Sequence, residues 1–94
     1  MENTNTEYFE QDKNTIAFLL LCKDISFEGT QSQGETLKFI FSPADKARNH
    51  AEKYQLGNCA PIQPKDFAVS QERVMDLIYQ WKRQRNEMGG GHAR

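Results

Sequence analysis

The feature that most constrains this chain is a pair of alternating apolar and polar runs separated by a short polar stretch. Residues 30–34, Thr-Gln-Ser-Gln-Gly, separate the two runs. Because successive side chains of a strand point to opposite faces of a sheet, this alternation predicts an antiparallel hairpin with one apolar face. That face would carry five large side chains: Ile25, Phe27, Leu37, Phe39 and Phe41. An apolar face must be covered, so the flanking segments are expected to pack on it.

The segment before the hairpin has helical spacing. Apolar residues recur at three- and four-residue intervals from Ile16 to Leu20, which predicts a helix over 14–23 that Asp12 or Asn14 could cap. A run this apolar and this short could also be a buried strand, and its length does not decide between the two. Upstream, Tyr8 and Phe9 could form a short edge strand, and residues 1–7 are polar and expected to be flexible.

Two more helices are predicted after the hairpin. Ser42-Pro43 is typical of a helix start, with the serine as cap and the proline in the first turn, and Gly57 would end that helix. Alanines at 44, 47 and 51 and Tyr54 mark its inner face. The last helix is expected from Pro64 or Ser70 to about Glu87, with an apolar stripe of Val74, Leu77, Ile78 and Trp81.

These elements predict an α+β fold in one small domain: an N-terminal helix, an antiparallel hairpin with a possible third edge strand, and two C-terminal helices on one sheet face. The domain is expected over residues 8–87, followed by a flexible glycine-rich tail over 88–94. A chain of 94 residues is too short for a (β/α)₈ barrel, which needs about 250 residues, or for a full dinucleotide-binding fold.

The residue types that carry most catalytic and metal chemistry are sparse. The chain has two cysteines, Cys22 and Cys59, and two histidines, His50 and His92, without zinc-ligand spacing or a phosphate-binding glycine motif. A Cys59–His50 nucleophilic pair is conceivable, but a solvated histidine and a packed cysteine are commoner. We therefore expect no enzyme activity, no metal and no cofactor.

The location is predicted from the same composition. A Cys22–Cys59 disulfide is possible, yet the acidic, polar N-terminus does not resemble a secretory signal, which favours reduced thiols in the cytoplasm. The seven apolar residues 16–22 fall far below the ~20 that span a bilayer, so no membrane association is expected.

Charge is distributed unevenly along the chain. Residues 1–12 have a net charge of -4 and residues 73–94 a net charge of +3, within a total of -1. Basic side chains on the last two helices could contact the phosphates of a nucleic acid, with Tyr79 and Trp81 nearby: Lys46, Arg48, Lys53, Arg73, Lys82, Arg83 and Arg85. Against this, the isoelectric point of about 6.1 lies well below that typical of nucleic-acid-binding domains.

A protein partner is the alternative. Open sheet edges and spare apolar side chains at Ile40, Met75 and Tyr79 would favour a homodimer or docking on a larger protein. Both interpretations predict a binding protein, and they differ in the partner.

The order of motifs also resembles a known family. An apolar helix "IAFLLLCK" leads into "ETLKFIFSPADKARNHAEKY" and then "PIQPKDFAVSQERVMDLIYQ". Over residues 8–80 this is similar to the small uncharacterised domain family DUF5659 of bacteria, phages and other mobile elements. The matching positions are apolar, aromatic and turn residues: Phe39, Phe41, Tyr54, Gly57, Phe67, Arg73, Leu77, Ile78 and Tyr79. Lys23-Asp24 stand where the family commonly has a glycine. The resemblance implies a fold and an accessory role in a phage or mobile element, and no chemistry.

Overall fold

The structure, a computed structural model, describes residues 6–89 and the side chains of residues 6–85. Six elements follow one another along the chain: β1 (Tyr8–Glu10), α1 (Lys13–Leu19), β2 (Ser26–Gln33), β3 (Thr36–Ser42), α2 (Ala44–Gln55) and α3 (Pro64–Gly89). The α+β fold is confirmed, and so is the third edge strand. The predicted flexible ends fall mainly on residues 1–5 and 90–94, which lie outside the described residues.

The three strands form an antiparallel sheet in the order β1-β3-β2. Along the central strand β3 the side chains alternate between buried and half-buried, with Leu37, Phe39 and Phe41 on the buried face. Phe39 and Phe41 are fully buried. They belong to a core that also takes Ile16 and Leu19 from α1, alanines from α2, and Val74 and Ile78 from α3. The predicted inner face of the hairpin is therefore confirmed.

The hairpin is longer and its turn tighter than the sequence predicts. The expected loop at 30–34 is wrong, because β2 continues to Gln33 and pairs with Thr36, so that only Gly34 and Glu35 form the turn. Gly34 has φ 61, a left-handed backbone that suits glycine in a two-residue turn. A bulge between Phe27 and Gly29 shifts the alternation, and the polar half of β2 is an exposed edge strand that needs no apolar cover.

Helix α1 is shorter than predicted and ends at Leu19 instead of Lys23. Asp12 caps its start as expected, accepting hydrogen bonds from the Thr15 backbone N–H at 2.9 Å and its hydroxyl at 2.7 Å. At the other end the Leu21 amide donates to the Phe18 carbonyl, a three-residue step that tightens the chain out of the helix. The buried Ser70 hydroxyl of α3 donates to the Ala17 carbonyl at 2.7 Å.

Helix α2 packs through small side chains, as predicted. Ala44, Ala47 and Ala51 are all buried, which allows the backbone to approach the sheet closely. The expected serine cap is wrong: Pro43 occupies the cap position, and the Ser42 hydroxyl hydrogen-bonds to Glu28 across the sheet instead. The helix is followed by Gly57 at φ 78, which confirms the predicted stop.

Helix α3 begins at Pro64, the earlier of the two predicted starts, and continues two residues past Glu87. It packs mainly on α1, and its apolar stripe reaches the common core through Val74 and Ile78, with Leu77 and Trp81 half-buried beside them. None of the described helices combines the length and the apolar character needed to cross a membrane.

Candidate functional site

Four residues of the candidate partner surfaces lie along one side of α3. At 100° per residue, positions 75, 79, 82 and 83 share one side of a helix. Met75 is half-buried, the Tyr79 ring is 58% exposed, and Lys82 and Arg83 are exposed. We call these four residues the α3 ridge. The sequence analysis had assigned the first two to a protein partner and the last two to a nucleic acid, and the structure brings them together.

The other two basic residues of α3 lie elsewhere. The Arg85 guanidinium is centred 5.0 Å from the Trp81 ring and its Nη1 lies 3.4 Å from Glu35 Oε1 at the hairpin turn. Arg73 lies on the side of the helix opposite the ridge, beside a depression that Leu20 and Val69 also line. Arg85 therefore ties the helix to the hairpin, and Arg73 belongs to another surface.

The basic residues of α2 divide in the same way. Lys46 and Lys53 are seven residues apart and share one side of the helix, whereas Arg48 projects from nearly the opposite side. The Arg48 guanidinium lies over the Tyr8 ring of β1, 5.9 Å from its centroid. The seven predicted basic residues thus occupy several surfaces and do not form one face.

Ile40, the third residue predicted to contact a protein, is separate from the ridge. It lies on the outer face of the sheet, where it pairs with Phe9 of β1, whose side chain is 41% exposed. This outer face carries one small apolar pair, and the remaining strand positions there are largely polar, such as Lys38 and Thr36.

A cleft of about 530 Å³ lies between the end of α1, helix α2 and the connector that follows it. Both cysteines line it, together with His50 of α2 and two lysines, Lys23 and Lys53. We call it the cysteine cleft. Its floor and walls are completed by apolar and amide groups: Phe18, Leu21, Asn58, Ala60, Pro61, Ile62 and Gln63, with Asp24 and Asp66 at its edge.

His50 is held at this cleft, and it is not the solvated side chain that the sequence suggested. Its Nε2 lies 2.8 Å from Asp24 Oδ1, and its ring meets the Phe18 ring edge-on at 6.3 Å. The hydrogen bond from His50, followed by the attraction of the His50 and Lys46 charges, lowers the pKa of the Asp24 carboxyl below its usual value. This pair joins α2 to the turn between α1 and β2.

The two thiols of the cleft are free and half-buried. Cys22 Sγ lies 3.6 Å from the Phe18 carbonyl oxygen. Burial, the nearby Asp24 carboxylate and Cys59 raise the pKa of Cys22 to about 11. Cysteines 37 positions apart carry no sequence signal of a shared site. Cys22 and Cys59 each follow the end of a helix, whereas His50 lies in the middle of α2.

The described residues contain no group of three or more histidine, cysteine, aspartate or glutamate side chains arranged to hold a metal ion. In the cleft the close polar pair is His50–Asp24, and no hydrogen bond joins His50 to either thiol in the part of the chain that the structure describes. His50 is therefore engaged with Asp24 in this structure.

Comparison of the chain with protein-family models, curated proteins and solved structures finds no match. The resemblance to DUF5659 stays a prediction.

Proposed function

We propose that this chain is a non-catalytic binding protein that contacts nucleic acid, free or within a nucleoprotein complex, through the α3 ridge. The observation that carries the proposal is the position of Tyr79, whose exposed ring lies one turn before Lys82 and Arg83 on the same side of the helix. The accessory role in a phage or mobile element, which the family resemblance implies, belongs to the same proposal.

The ridge combines two groups that a nucleic acid recognises. A lysine and an arginine each neutralise a phosphate and release its counterions, whatever the base sequence. An exposed aromatic ring gives an unpaired base a surface on which to stack. Residues 77–86 carry three basic and no acidic side chains, and with the flanking Asp76 and Glu87 the segment 76–87 keeps a net charge of +1, although the whole chain has a net charge of -1.

A protein partner is the second candidate, and the first half of the ridge favours it. Met75 lines a shallow depression with Ala68 and Gln71, next to the exposed Tyr79 ring. A flexible thioether beside an aromatic ring is typical of protein contacts, including those of homodimers. The two candidates share Tyr79 and differ in whether Lys82 and Arg83 contribute.

Two double variants of equal net charge separate these candidates. The first, Lys82→Ala with Arg83→Ala, removes the cations of the ridge, and the second, Lys46→Ala with Lys53→Ala, removes two cations from α2. Fluorescence anisotropy with labelled single-stranded and duplex DNA, titrated at several salt concentrations, measures binding. With two phosphate contacts, the log–log salt slope of the wild-type protein should be about -1.8 for duplex and about -1.4 for single strands.

The salt dependence of DNA binding should be mostly lost in the Lys82→Ala, Arg83→Ala variant. It should be retained in the Lys46→Ala, Lys53→Ala variant. Tyr79→Ala should weaken single-strand binding about tenfold and leave the slope unchanged, since stacking involves no counterion. Absence of saturable binding at low salt, or an equal loss in both double variants, would contradict the proposal. A doubled mass in light scattering that only Tyr79→Ala or Met75→Ala abolishes would establish the protein partner instead.

A further inference from the structure

We infer that Cys22 and Cys59 are a thiol–disulfide exchange site, at which a small disulfide of the glutathione class enters the cysteine cleft and converts the two thiols into an intramolecular disulfide. The inference does not depend on the α3 ridge or on any nucleic-acid contact. It rests on the position of the two thiols, the shape of the cleft and the charges at its rim.

The two cysteines line the same cleft and come from different segments of the chain. Cys22 lies in the tight turn after α1, with Sγ 3.6 Å from the Phe18 carbonyl oxygen. Cys59 lies in the connector between α2 and α3 and packs against the same core. Both thiols are half-buried and line the same cleft, although they are 37 positions apart in sequence.

The connector can supply the adjustment that a disulfide requires. Its residues 59–62 belong to no helix or strand, so their backbone can move without breaking an element. A disulfide needs its two Cα atoms about 4.4–6.8 Å apart. Because the Cys22 amide donates to the Leu19 carbonyl at 3.1 Å, which holds Cys22 against the end of α1, we expect the connector to be the side that moves.

The cleft also suits the reagent. Its volume of about 530 Å³ lies within the range of small-molecule sites in proteins, about 300–1,000 Å³. Lys23 and Lys53 line it and offer ammonium groups to the carboxylates of a glutathione-type disulfide, and Asp24 and Asp66 can pair with its ammonium groups. Leu21 and Ile62 provide apolar walls. A thiol on a flat surface would lack both features.

The exchange proceeds in two balanced steps. The Cys59 thiolate attacks one sulfur of the small disulfide, a mixed disulfide forms, and one small thiolate leaves. Cys22 then gives its proton to the small thiolate released in the first step and attacks Cys59 Sγ. The second small thiolate leaves and takes up from water the proton that Cys59 had lost on forming its thiolate. Two protein thiols are oxidised to one disulfide, and one small disulfide is reduced to two thiols.

The environment of Cys22 agrees with this order. With its pKa raised to about 11, Cys22 is protonated at neutral pH and is a poor first nucleophile. It becomes effective as the resolving thiol once Cys59 carries the mixed disulfide, because the attack is then intramolecular.

The test treats the native, reduced full chain with an excess of oxidised glutathione at neutral pH and follows intact mass and free thiols. The expected product is a monomer lighter by two hydrogen atoms, without free thiols, which dithiothreitol returns to the starting mass. In Cys22→Ser the reaction should stop at a stable mixed disulfide on Cys59. Cys22→Ala and Cys59→Ala repeat the test with a methyl group in place of the thiol side chain.

Three results would overturn the inference: a stable mixed disulfide on the wild-type protein, a disulfide-linked dimer, or thiols that react only in denaturant. Hydrogen exchange of the backbone amides locates the effect of the disulfide. Oxidation should slow exchange in the connector that carries Cys59 more than in the hairpin turn at Gly34. DNA binding by the α3 ridge should be the same in the reduced protein and in the double serine variant, so failure of either proposal leaves the other testable.

Discussion

Helices α2 and α3 contribute to the same core, α2 against the sheet and α3 mainly against α1, yet they use their polar sides differently. The polar side of α2 is tied back to the fold, with Arg48 over Tyr8 and His50 bonded to Asp24. In α3 the first half is tied in by the buried Ser70, whereas the second half carries the exposed Tyr79 beside Lys82 and Arg83.

The difference shows that basic residues of similar sequence character can have different uses. A guanidinium over a ring or a histidine against a carboxylate stabilises the junction between elements, and its charge is already partly engaged. Lys82 and Arg83 lie about one turn beyond Ile78, the last fully packed core residue that the structure describes in α3. Their charges are exposed and do not join two elements of the described structure. This is why the ridge, and not α2, is the surface that we assign to a partner.

The largest effect is expected in the core to which both helices contribute. Phe39→Ala should lower the free energy of unfolding by about 3–5 kcal/mol, because a fully buried ring is replaced by a cavity. Urea denaturation followed by circular dichroism measures this. Phe9→Ala, which truncates a 41% exposed ring on the outer face, should cost far less. Equal costs at the two positions would mean that the helices do not share this core.

A smaller effect is expected where α3 is tied to α1. Ser70→Ala removes the donor to the Ala17 carbonyl and should cost about 1–2 kcal/mol, since that buried oxygen lies at a helix end and loses its partner. Ser26→Ala, at an exposed position of β2, is the control and should change stability little. If both variants had the stability of wild type, the tie between α1 and α3 would be apolar alone.

The smallest effect on stability is expected from the His50–Asp24 pair, which joins α2 to the turn before β2. Because the folded protein holds the Asp24 pKa below its usual value, the ionised carboxylate favours folding at pH above about 4, and this contribution disappears as the pH falls through the folded pKa. The melting temperatures of wild type and Asp24→Asn should therefore differ at neutral pH and converge in acid.

Direct observation of the carboxyl strengthens that test. In His50→Ala the Asp24 pKa, followed by carbon NMR, should return towards its ordinary value, because the hydrogen bond that lowers it is gone. In the melting comparison, Asp76→Asn removes one exposed carboxylate from α3 and so controls for the charge lost in Asp24→Asn. An unchanged Asp24 pKa in His50→Ala would mean that α2 is not tied there.

Local pattern predicted most of the elements. The alternation around Phe39, the alanine face of α2 and the stripe through Val74 all appear in the structure at their predicted positions. The errors were at boundaries. The Ser42 hydroxyl bonds Glu28, 14 positions earlier, instead of capping α2. The α1 end is closed locally by the bond from Leu21 to Phe18, and the hairpin turn is formed at Gly34.

The candidate sites were less accessible to sequence reasoning. Basic residues could be listed from the sequence, but their grouping depended on where each helix starts and which side it packs. The ridge unites residues that had been assigned to two different partners, and Arg85 is drawn away by Trp81 and Glu35. The cysteine cleft could not be predicted, because its members come from three separate segments.

The sequence by itself determined that this chain forms a small α+β domain with one apolar sheet face, because period-2 and period-3.6 patterns act over neighbouring residues. Only the tertiary structure decided which polar groups meet. The pairing of His50 with Asp24 and of Arg85 with Glu35, and the position of both cysteines in one cleft, follow from how the elements pack around the core. Such contacts join residues 26 to 50 positions apart, a separation at which no local periodicity carries information.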